Sequence, residues 1–194
     1  MLIKRAFDLV ASALGLLVCS PLFVVIGLAI VLDDGPPVIF RQERVGRGGK
    51  LFMIHKFRTM RDGRSGLNVS STSDPRITRL GKVLRKTKLD ELPQLFDVLR
   101  GEMSLVGPRP EVPEYVAQWP QRARPVILSI RPGVTDPASI EFRNEAEILA
   151  SSDDPAVYYV NELLPRKAAT YVDYVQDRSF FGDMRILLAT VKAI

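Results

Sequence analysis

Leu9-Val-Ala-Ser-Ala-Leu-Gly-Leu-Leu-Val-Cys-Ser-Pro-Leu-Phe-Val-Val-Ile-Gly-Leu-Ala-Ile-Val-Leu32 carries no charged residue. At a helical rise of about 1.5 Å per residue, this run is long enough to cross the hydrocarbon core of a bilayer. Its apolar core is too long for a cleavable signal peptide, and no Ala-x-Ala-like site follows it. Val18 is not the small residue expected before a lipidated Cys19. Ser20-Pro21 interrupts the run near its middle. Proline removes a backbone donor and disfavours helical geometry in the residue before it, so a break or sharp bend is expected there. Ser20 can give its hydroxyl to a carbonyl that the proline frees. Basic residues flank both sides, Lys4 and Arg5 before the run and Arg41, Arg44, Arg47 and Lys50 after it. That distribution suits two cytoplasmic ends better than one. The residues therefore favour a helix–break–helix that dips into the inner leaflet and returns, over a plain spanning anchor. Residues 1–35 form this re-entrant segment, and residues 36–194 a cytosolic, membrane-associated unit.

Outward from that segment, Asp33-Asp34-Gly35-Pro36-Pro37 reads as a turn. Val38 to Phe40 is a short strand. Gln42 to Lys50 is a loop rich in Gly and Arg, with neither the Gly-Lys-Ser/Thr of a Walker loop nor a GxGxxG. It is a weak phosphate cradle or a solvated basic turn. Leu51 to Met60 looks like a strand, with Lys56 and Arg58 on one face by the period of two. Arg61 to Asp74 is polar and reads as a loop. Asp74-Pro75 then opens a basic amphipathic helix with Ile77, Leu80, Val83 and Leu84 on one face. Such a helix suits an anionic membrane surface or nucleic acid.

The helix delivers the chain to Lys88-Leu-Asp-Glu-Leu-Pro-Gln-Leu-Phe96. Asp90 and Glu91 are adjacent carboxylates in an apolar setting behind Arg79, Lys82, Arg85, Lys86 and Lys88. Pro93 suits the first turn of a helix, which puts Asp90 near the N-cap and Glu91 in the first turn. On a helix the two diverge by roughly a quarter turn, so that one can hold a metal while the other faces a substrate. An ordinary dipole-friendly cap is the bland alternative. Gly101 is placed as the C-terminal cap of this helix. In Met103-Ser-Leu-Val-Gly-Pro-Arg-Pro110 the prolines hold Arg109 stiffly, as a mount for an anion-binding guanidinium or as a plain rigid turn. Ser179 is a good N-cap for a final helix whose Phe180, Phe181, Met184, Leu187, Leu188 and Val191 suit core packing and membrane seating equally.

The composition narrows the chemistry. The 194 residues suffice for one domain plus an appendage, and the net charge of +5 fits nucleic acid, an anionic surface or phosphorylated substrates. One cysteine, Cys19, rules out an intramolecular disulfide and a Cys-rich zinc site. One histidine, His55, rules out a multi-His metal site and sits in an alternating segment that suggests packing rather than catalysis.

Lys56-Phe-Arg-Thr-Met60, Asp74-Pro-Arg76, Leu89-Asp-Glu-Leu-Pro-Gln-Leu95, Ser104-Leu-Val-Gly-Pro-Arg-Pro110 and Arg131-Pro-Gly133 occur in the order seen in the bacterial sugar transferases. The chain resembles this family of monotopic phosphoglycosyl transferases from its membrane segment nearly to its C-terminus. The resemblance implies a mostly helical α/β fold, a small catalytic unit on membrane-surface helices above a re-entrant helix, at the cytosolic face of the bacterial inner membrane. It implies transfer of a sugar-1-phosphate from a UDP-sugar to a polyprenyl (undecaprenyl) phosphate with release of UMP, the first membrane step of surface glycan assembly. Carried over, Asp90 is the nucleophile of a ping-pong reaction and Glu91 holds Mg²⁺. A carboxylate nucleophile splits one hard displacement into two easier ones. Arg109, with Lys56, Arg58 and Arg131, is placed to neutralise phosphate charge.

After Arg131-Pro-Gly-Val-Thr135 the chain departs from the Gly-Leu-Ala-Gln-Val and Asn-Gly-Arg of many relatives. Here Asp136-Pro-Ala-Ser-Ile-Glu-Phe-Arg-Asn-Glu145 stands instead. Ser139, Arg143, Asn144 and Glu145 are placed as readers of the sugar or base, and the sugar stays unassigned. Inner-leaflet phospholipid is a further expected partner, a homodimer is left open, and the length suggests the minimal catalytic form. Two rivals use the same features. A membrane-anchored glycosyltransferase would release UDP, but the Asp-x-Asp metal motif typical of such enzymes does not occur. A nucleic-acid binder would use the basic helix, but aromatics do not interleave with the basic residues.

Overall fold

The computed structural model describes residues 2–61 and 74–193. The loop expected from Arg61 to Asp74 falls, over 62–73, outside the described residues. α1 is one continuous helix, Leu2–Asp34, with Pro21 inside it. The expected helix–break–helix is thus corrected: Ser20 and Pro21 sit within unbroken helical structure. Pro21 has no N–H for the Leu17 carbonyl four residues back, and Ser20 Oγ donates to that carbonyl at 2.8 Å. The side chain supplies the bond the proline cannot. Lys4, Asp8, Ser12, Gly15, Cys19, Phe23, Ile26, Ile30 and Asp34, three or four apart, form an inward stripe. Val10, Leu14, Leu17, Val18, Val24, Val25 and Leu28 face outward and are exposed.

β1 (Ile39–Val45) and β2 (Leu51–Phe57) make an antiparallel hairpin in which Ile39 pairs with Phe57 and Val45 with Leu51. The expected strand is extended to Val45, and the Gly/Arg-rich loop shrinks to residues 46–50. α2 runs Arg79–Lys86 and starts at Thr78, whose hydroxyl accepts from the Gly81 N–H at 2.9 Å. It does not start at Asp74-Pro75, because the Asp74 carboxylate is taken up by the Arg76 guanidinium and backbone N–H. Lys88 adopts a left-handed conformation (φ 55°) and turns the chain into a 3₁₀ turn, Leu89–Glu91. α3 follows at Gln94–Arg100, with Pro93 as its N-cap and Gly101 (φ 86°) at its C-cap. Asp90 and Glu91 therefore lie one turn ahead of α3, which corrects their placement at its N-cap and first turn.

β3 (Ser104–Val106) pairs in parallel with β4 (Gly133–Thr135), and α4 (Pro113–Gln118) and α5 (Ala123–Ile127) lie between them in sequence. α6 (Pro137–Glu141), α7 (Glu145–Ala150), α8 (Pro155–Tyr158), a π turn at Tyr159–Leu163, α9 (Leu164–Asp177) and α10 (Phe180–Ala193) complete the chain. Ser179 caps α10 as expected, accepting from the Gly182 N–H at 3.0 Å. The fold is mostly helical, with two short sheets among the described residues.

Among the described residues, three apolar clusters hold it together. Trp119, Leu149, Leu163, Leu164 and Tyr171 centre one around α9. Phe52, Ile54, Val98, Met103, Val106 and Tyr174 join the hairpin to α3 and β3. Ile26 and Ile30 of α1 meet Phe57 and Leu84 in the third. α10 divides its apolar residues: Ile186 and Leu187 pack on the second cluster, while Phe181, Leu188 and Val191 stay exposed. Where the chain just after β3 passes the start of its parallel partner β4, a Cβ on Gly133 would lie 2.1 Å from the Gly107 backbone nitrogen.

The glycines separate two kinds of constraint. Gly133→Ala forces backbone against backbone and should destabilise by about 3 kcal/mol. Gly48→Ala, with φ +69° but open space around its Cβ, should cost only about 1 kcal/mol. Thermal melts of the detergent-held protein check the ratio, and equal shifts would contradict the close approach.

Candidate active site

The hairpin, the 3₁₀ turn and the segment after β3 converge on a cleft of about 480 Å³. β2 brings Lys56, and β1 brings Phe40, Gln42 and Arg44 from alternate positions of one strand face. The left-handed turn at Lys88 swings Asp90 and Glu91 to the cleft. Arg109 is mounted between two fixed carbonyls: Pro108 accepts from the Gly133 N–H at 2.9 Å, and Pro110 from Arg44 Nη1 at 3.2 Å. The stiff mount expected of Pro-Arg-Pro is present, and what it presents is a guanidinium.

Glu91 Oε1 receives Lys56 Nζ at 2.6 Å and Arg109 Nη2 at 2.8 Å. Burial pushes its carboxyl up, but Arg109 and Lys56 outweigh burial and hold it well below the usual carboxylate range. Glu91 in return raises Arg109, while burial lowers the Lys56 ammonium. Asp90 differs. It is 8 % exposed, and its Oδ1 has no hydrogen-bond partner among the described residues. Burial first, and the Glu91 charge second, push its carboxyl up, against Lys56, Arg85 and Lys88. One carboxylate of the pair is clamped and the other is buried without a hydrogen-bond partner for its Oδ1.

The opposite wall is a buried polar network that the sequence did not reveal. Arg44 Nη1 lies 3.4 Å from Glu111 Oε2, and the Tyr159 hydroxyl donates to Glu111 Oε1 at 2.8 Å. Lys167, 3 % exposed, reaches Glu145 Oε2 at 3.0 Å and sits over the Tyr159 ring. Asp136 caps α6 and holds Ser139 through its backbone N–H and hydroxyl. Among the described residues, nine basic side chains line the cleft against four carboxylates, an excess suited to a polyanion such as a diphosphate.

Of the residues expected at the site, Asp90, Glu91, Lys56, Arg109, Ser139, Arg143 and Glu145 line this one cleft. Arg58 does not. β2 ends at Phe57, the period of two no longer applies beyond it, and Arg58 turns to the Asp34 and Gly35 carbonyls at the end of α1. Arg131 is also elsewhere, its Nε on the Gly101 carbonyl at 2.7 Å, beside a second pocket. Asn144 is the N-cap residue of α7 and is not part of the lining. His55 is packed, its Nδ1 2.6 Å from the buried Asp97. Gln42, Arg44, Glu111, Tyr159 and Lys167 went unread. Alternation through Val45 would have flagged the first two, whereas Lys167 and Tyr159 arrive by tertiary packing alone.

No third His, Cys, Asp or Glu stands near enough to complete a metal site among the described residues. The unpartnered Asp90 oxygen and the Glu91 carboxylate nonetheless fit Mg²⁺, which is commonly held by one or two carboxylates plus substrate phosphates.

A family model described as "Bacterial sugar transferase" matches residues 1–194. An undecaprenyl-phosphate glucose phosphotransferase of Komagataeibacter xylinus is 41% identical over 99% of this chain and 36% of its own length. A UDP-glucose:undecaprenyl-phosphate glucose-1-phosphate transferase of Caulobacter vibrioides is 38% identical over 98% of this chain and 69% of its own length. An uncharacterized sugar transferase of Bacillus subtilis is 38% identical over the whole chain and 88% of its own length. The chain thus spans little more than a third of the first of these relatives.

The two carboxylates should part in stability. Asp90 binds a proton more tightly folded than unfolded, so its ionised form weakens the fold near neutrality and Asp90→Asn should raise the melting midpoint in metal-free buffer. Glu91 has the opposite sign: its stabilisation is present above the ordinary carboxylate range and is lost as pH falls through its depressed pKa. Glu91→Gln strands Lys56 and Arg109 and should cost about 3 kcal/mol. Paired melts at pH 7 read both, and a drop for Asp90→Asn would contradict the assignment.

Proposed function

Because the chain belongs to the bacterial sugar transferase family, we propose that it transfers a sugar-1-phosphate from a UDP-sugar to undecaprenyl phosphate and releases UMP. The observation that carries this reading is the asymmetry of the pair: Asp90 buried and unpartnered beside a Glu91 clamped by Lys56 and Arg109. An ion pair built for stability would partner both. The activities named for the relatives support the acceptor and the phosphate-linked transfer.

Asp90 attacks the β-phosphorus of the UDP-sugar. A bond forms from its carboxylate oxygen to phosphorus, the bond from phosphorus to the bridging oxygen breaks, and UMP departs with that oxygen. The sugar-phosphate is now held as an acyl phosphate on Asp90. A phosphate oxygen of undecaprenyl phosphate then attacks the same phosphorus, and Asp90 leaves as carboxylate. Mg²⁺, held by Glu91 and the substrate phosphates, would supply charge neutralisation between the anions. Arg109 and Lys56, already oriented on Glu91, stabilise charge on the transferred phosphoryl group. Ser139, Arg143 and Glu145 face the sugar or base.

The ends of α1 support a one-sided, monotopic course. Lys4 Nζ is 2.5 Å from Asp183, and Arg5 Nη2 donates to the Val98 carbonyl at 2.9 Å. At the far end Arg58 and Arg61 hold Asp34, and the Leu80 N–H meets Asp33. Both ends are bound to one unit, whereas a spanning helix would carry one end across the membrane. α1 passes the length and hydropathy test for crossing, so the ends argue its course and the apolar outward face argues its depth. Asp90 then lies on the cytosolic side of the inner membrane, where a soluble nucleotide sugar and the headgroup-level phosphate of a lipid acceptor meet.

Protein in nanodiscs with Mg²⁺, undecaprenyl phosphate and a panel of UDP-sugars should release UMP. Asp90→Asn should lose turnover by about 10⁴-fold or more and lose covalent labelling by a sugar-labelled substrate. Release of UDP, or labelling that persists without Asp90, would overturn the mechanism. In a Cys19→Ala background, thiols introduced by Ile3→Cys and Arg41→Cys should react with an impermeant reagent from the same side of the membrane. Labelling from opposite sides would end the monotopic course.

A further inference from the structure

A second pocket of about 490 Å³ opens at the far end of the hairpin from the dyad. Arg47 and Lys50, from the β1–β2 turn, and Arg131, from the segment before β4, line it with Gly46, Gly48 and Gly101. Arg5 of α1 reaches the same place, its Nη2 3.4 Å from where a Cβ on Gly101 would lie. Arg131 Nε binds the Gly101 carbonyl and Arg5 the Val98 and Met103 carbonyls, so two of these guanidinia also close the end of α3. Capping needs no Arg47 or Lys50, yet both stand beside it.

The cations of the active-site cleft that touch the dyad or its opposite wall, Lys56, Arg109, Arg44 and Lys167, each have a carboxylate partner. Arg5, Arg47, Lys50 and Arg131 have none within ion-pair distance among the described residues. Glu102 is the one acid in the lining. Burial, and then the charges of Arg5 and Arg47, lower the Arg131 pKa against the opposing charge of Asp8. The glycines keep the floor free of side chains. At the rim Leu51 is 54% exposed, an apolar surface beside a cationic floor. Arg5 lies four positions before the apolar run starts at Leu9, which is the depth of lipid phosphates for a helix entering a membrane.

We propose that Arg5, Arg47, Lys50 and Arg131 form a second anion site, which takes the phosphate of an anionic phospholipid headgroup while Leu51 meets its acyl chain. The site stands on its own geometry; its lipid source rests on the membrane course of α1 proposed above. The bound lipid fixes the hairpin turn and the end of α3 to the membrane surface, away from the chemistry at Asp90.

The test is a thermal melt of the detergent-held protein titrated with dioctanoyl phosphatidylglycerol, dioctanoyl phosphatidylcholine or inorganic phosphate. Phosphatidylglycerol should raise the midpoint saturably, and phosphatidylcholine and phosphate should raise it little at the same concentration. In the double variant Arg47→Gln/Lys50→Gln, both exposed turn residues, the concentration needed should rise roughly tenfold or more. Arg122→Gln/Arg166→Gln, with the same charge change elsewhere, should respond as the parent does. No phosphatidylglycerol response in the parent, an unchanged response in Arg47→Gln/Lys50→Gln, or an equal loss in the control pair would each overturn the site. An equal response to inorganic phosphate would overturn the lipid as its occupant. UMP release by Arg47→Gln/Lys50→Gln in detergent should match the parent, so this inference and the transferase reading fail separately.

Discussion

Salt bridges and capped carbonyls join both ends of a long apolar helix to one folded unit, and the remaining geometry follows from them. Lys4 and Arg5 fix the first turn of α1 against α10 and the end of α3, while Asp8 takes the Ser104 hydroxyl at 2.8 Å at the start of β3. Arg58 and Arg61 fix the last turn. The hairpin lies between these attachments, with its turn toward the Arg5 end and Phe57 toward the Asp34 end. A helix so held has one inward stripe fixed by packing, and its outward Leu and Val residues are left to the surroundings. Charged side chains at the two ends do what the apolar middle cannot, because apolar contact has no direction.

The active-site cleft shows the same economy. Two cations converge on one oxygen of Glu91, and that convergence leaves Asp90 buried with little to stabilise its charge. Stability is given up at one carboxylate and recovered at its neighbour. Such a pair is poised for a ligand that brings further oxygens and a counter-ion, and the surplus of basic residues around it selects for polyanions.

Much of this was legible in the sequence, for reasons that can be named. The apolar run, the dyad, the Pro-Arg-Pro mount and the Ser179 cap are local features, decided within a few residues, and the structure has all four. The Ser20 hydroxyl was read correctly as a donor to a freed carbonyl, but the consequence was not: with Leu17 satisfied, the helix has no need to break. Asp74-Pro75 reads as a helix start, but Arg76, two residues on, takes the Asp74 carboxylate and the helix begins at Thr78 instead. Arg58 and Lys56 were grouped by strand period, which holds only while the strand lasts. Arg131 was grouped with Arg109 by motif, but β4 leads its loop to the opposite end of the hairpin. Lys167 and Glu111 were out of reach, since nothing local distinguishes a buried lysine from an exposed one before α9 is packed.

The ion pair of Lys4 with Asp183 joins the first helix of the chain to the last. Synthesis runs from the N-terminus, so α1 is complete long before Asp183 exists. Asp33 and Asp34 meet Arg58, Arg61 and Leu80 early, while Lys4 waits for almost the whole polypeptide. The C-terminal end of the helix is therefore fastened first, the contacts of Arg5 and Asp8 with Val98, Met103 and Ser104 follow, and the Lys4 pair closes only when α10 is made. A nascent chain cut short before α10 would lack the Asp183 partner of Lys4 and would hold that end of the apolar helix through Arg5 and Asp8.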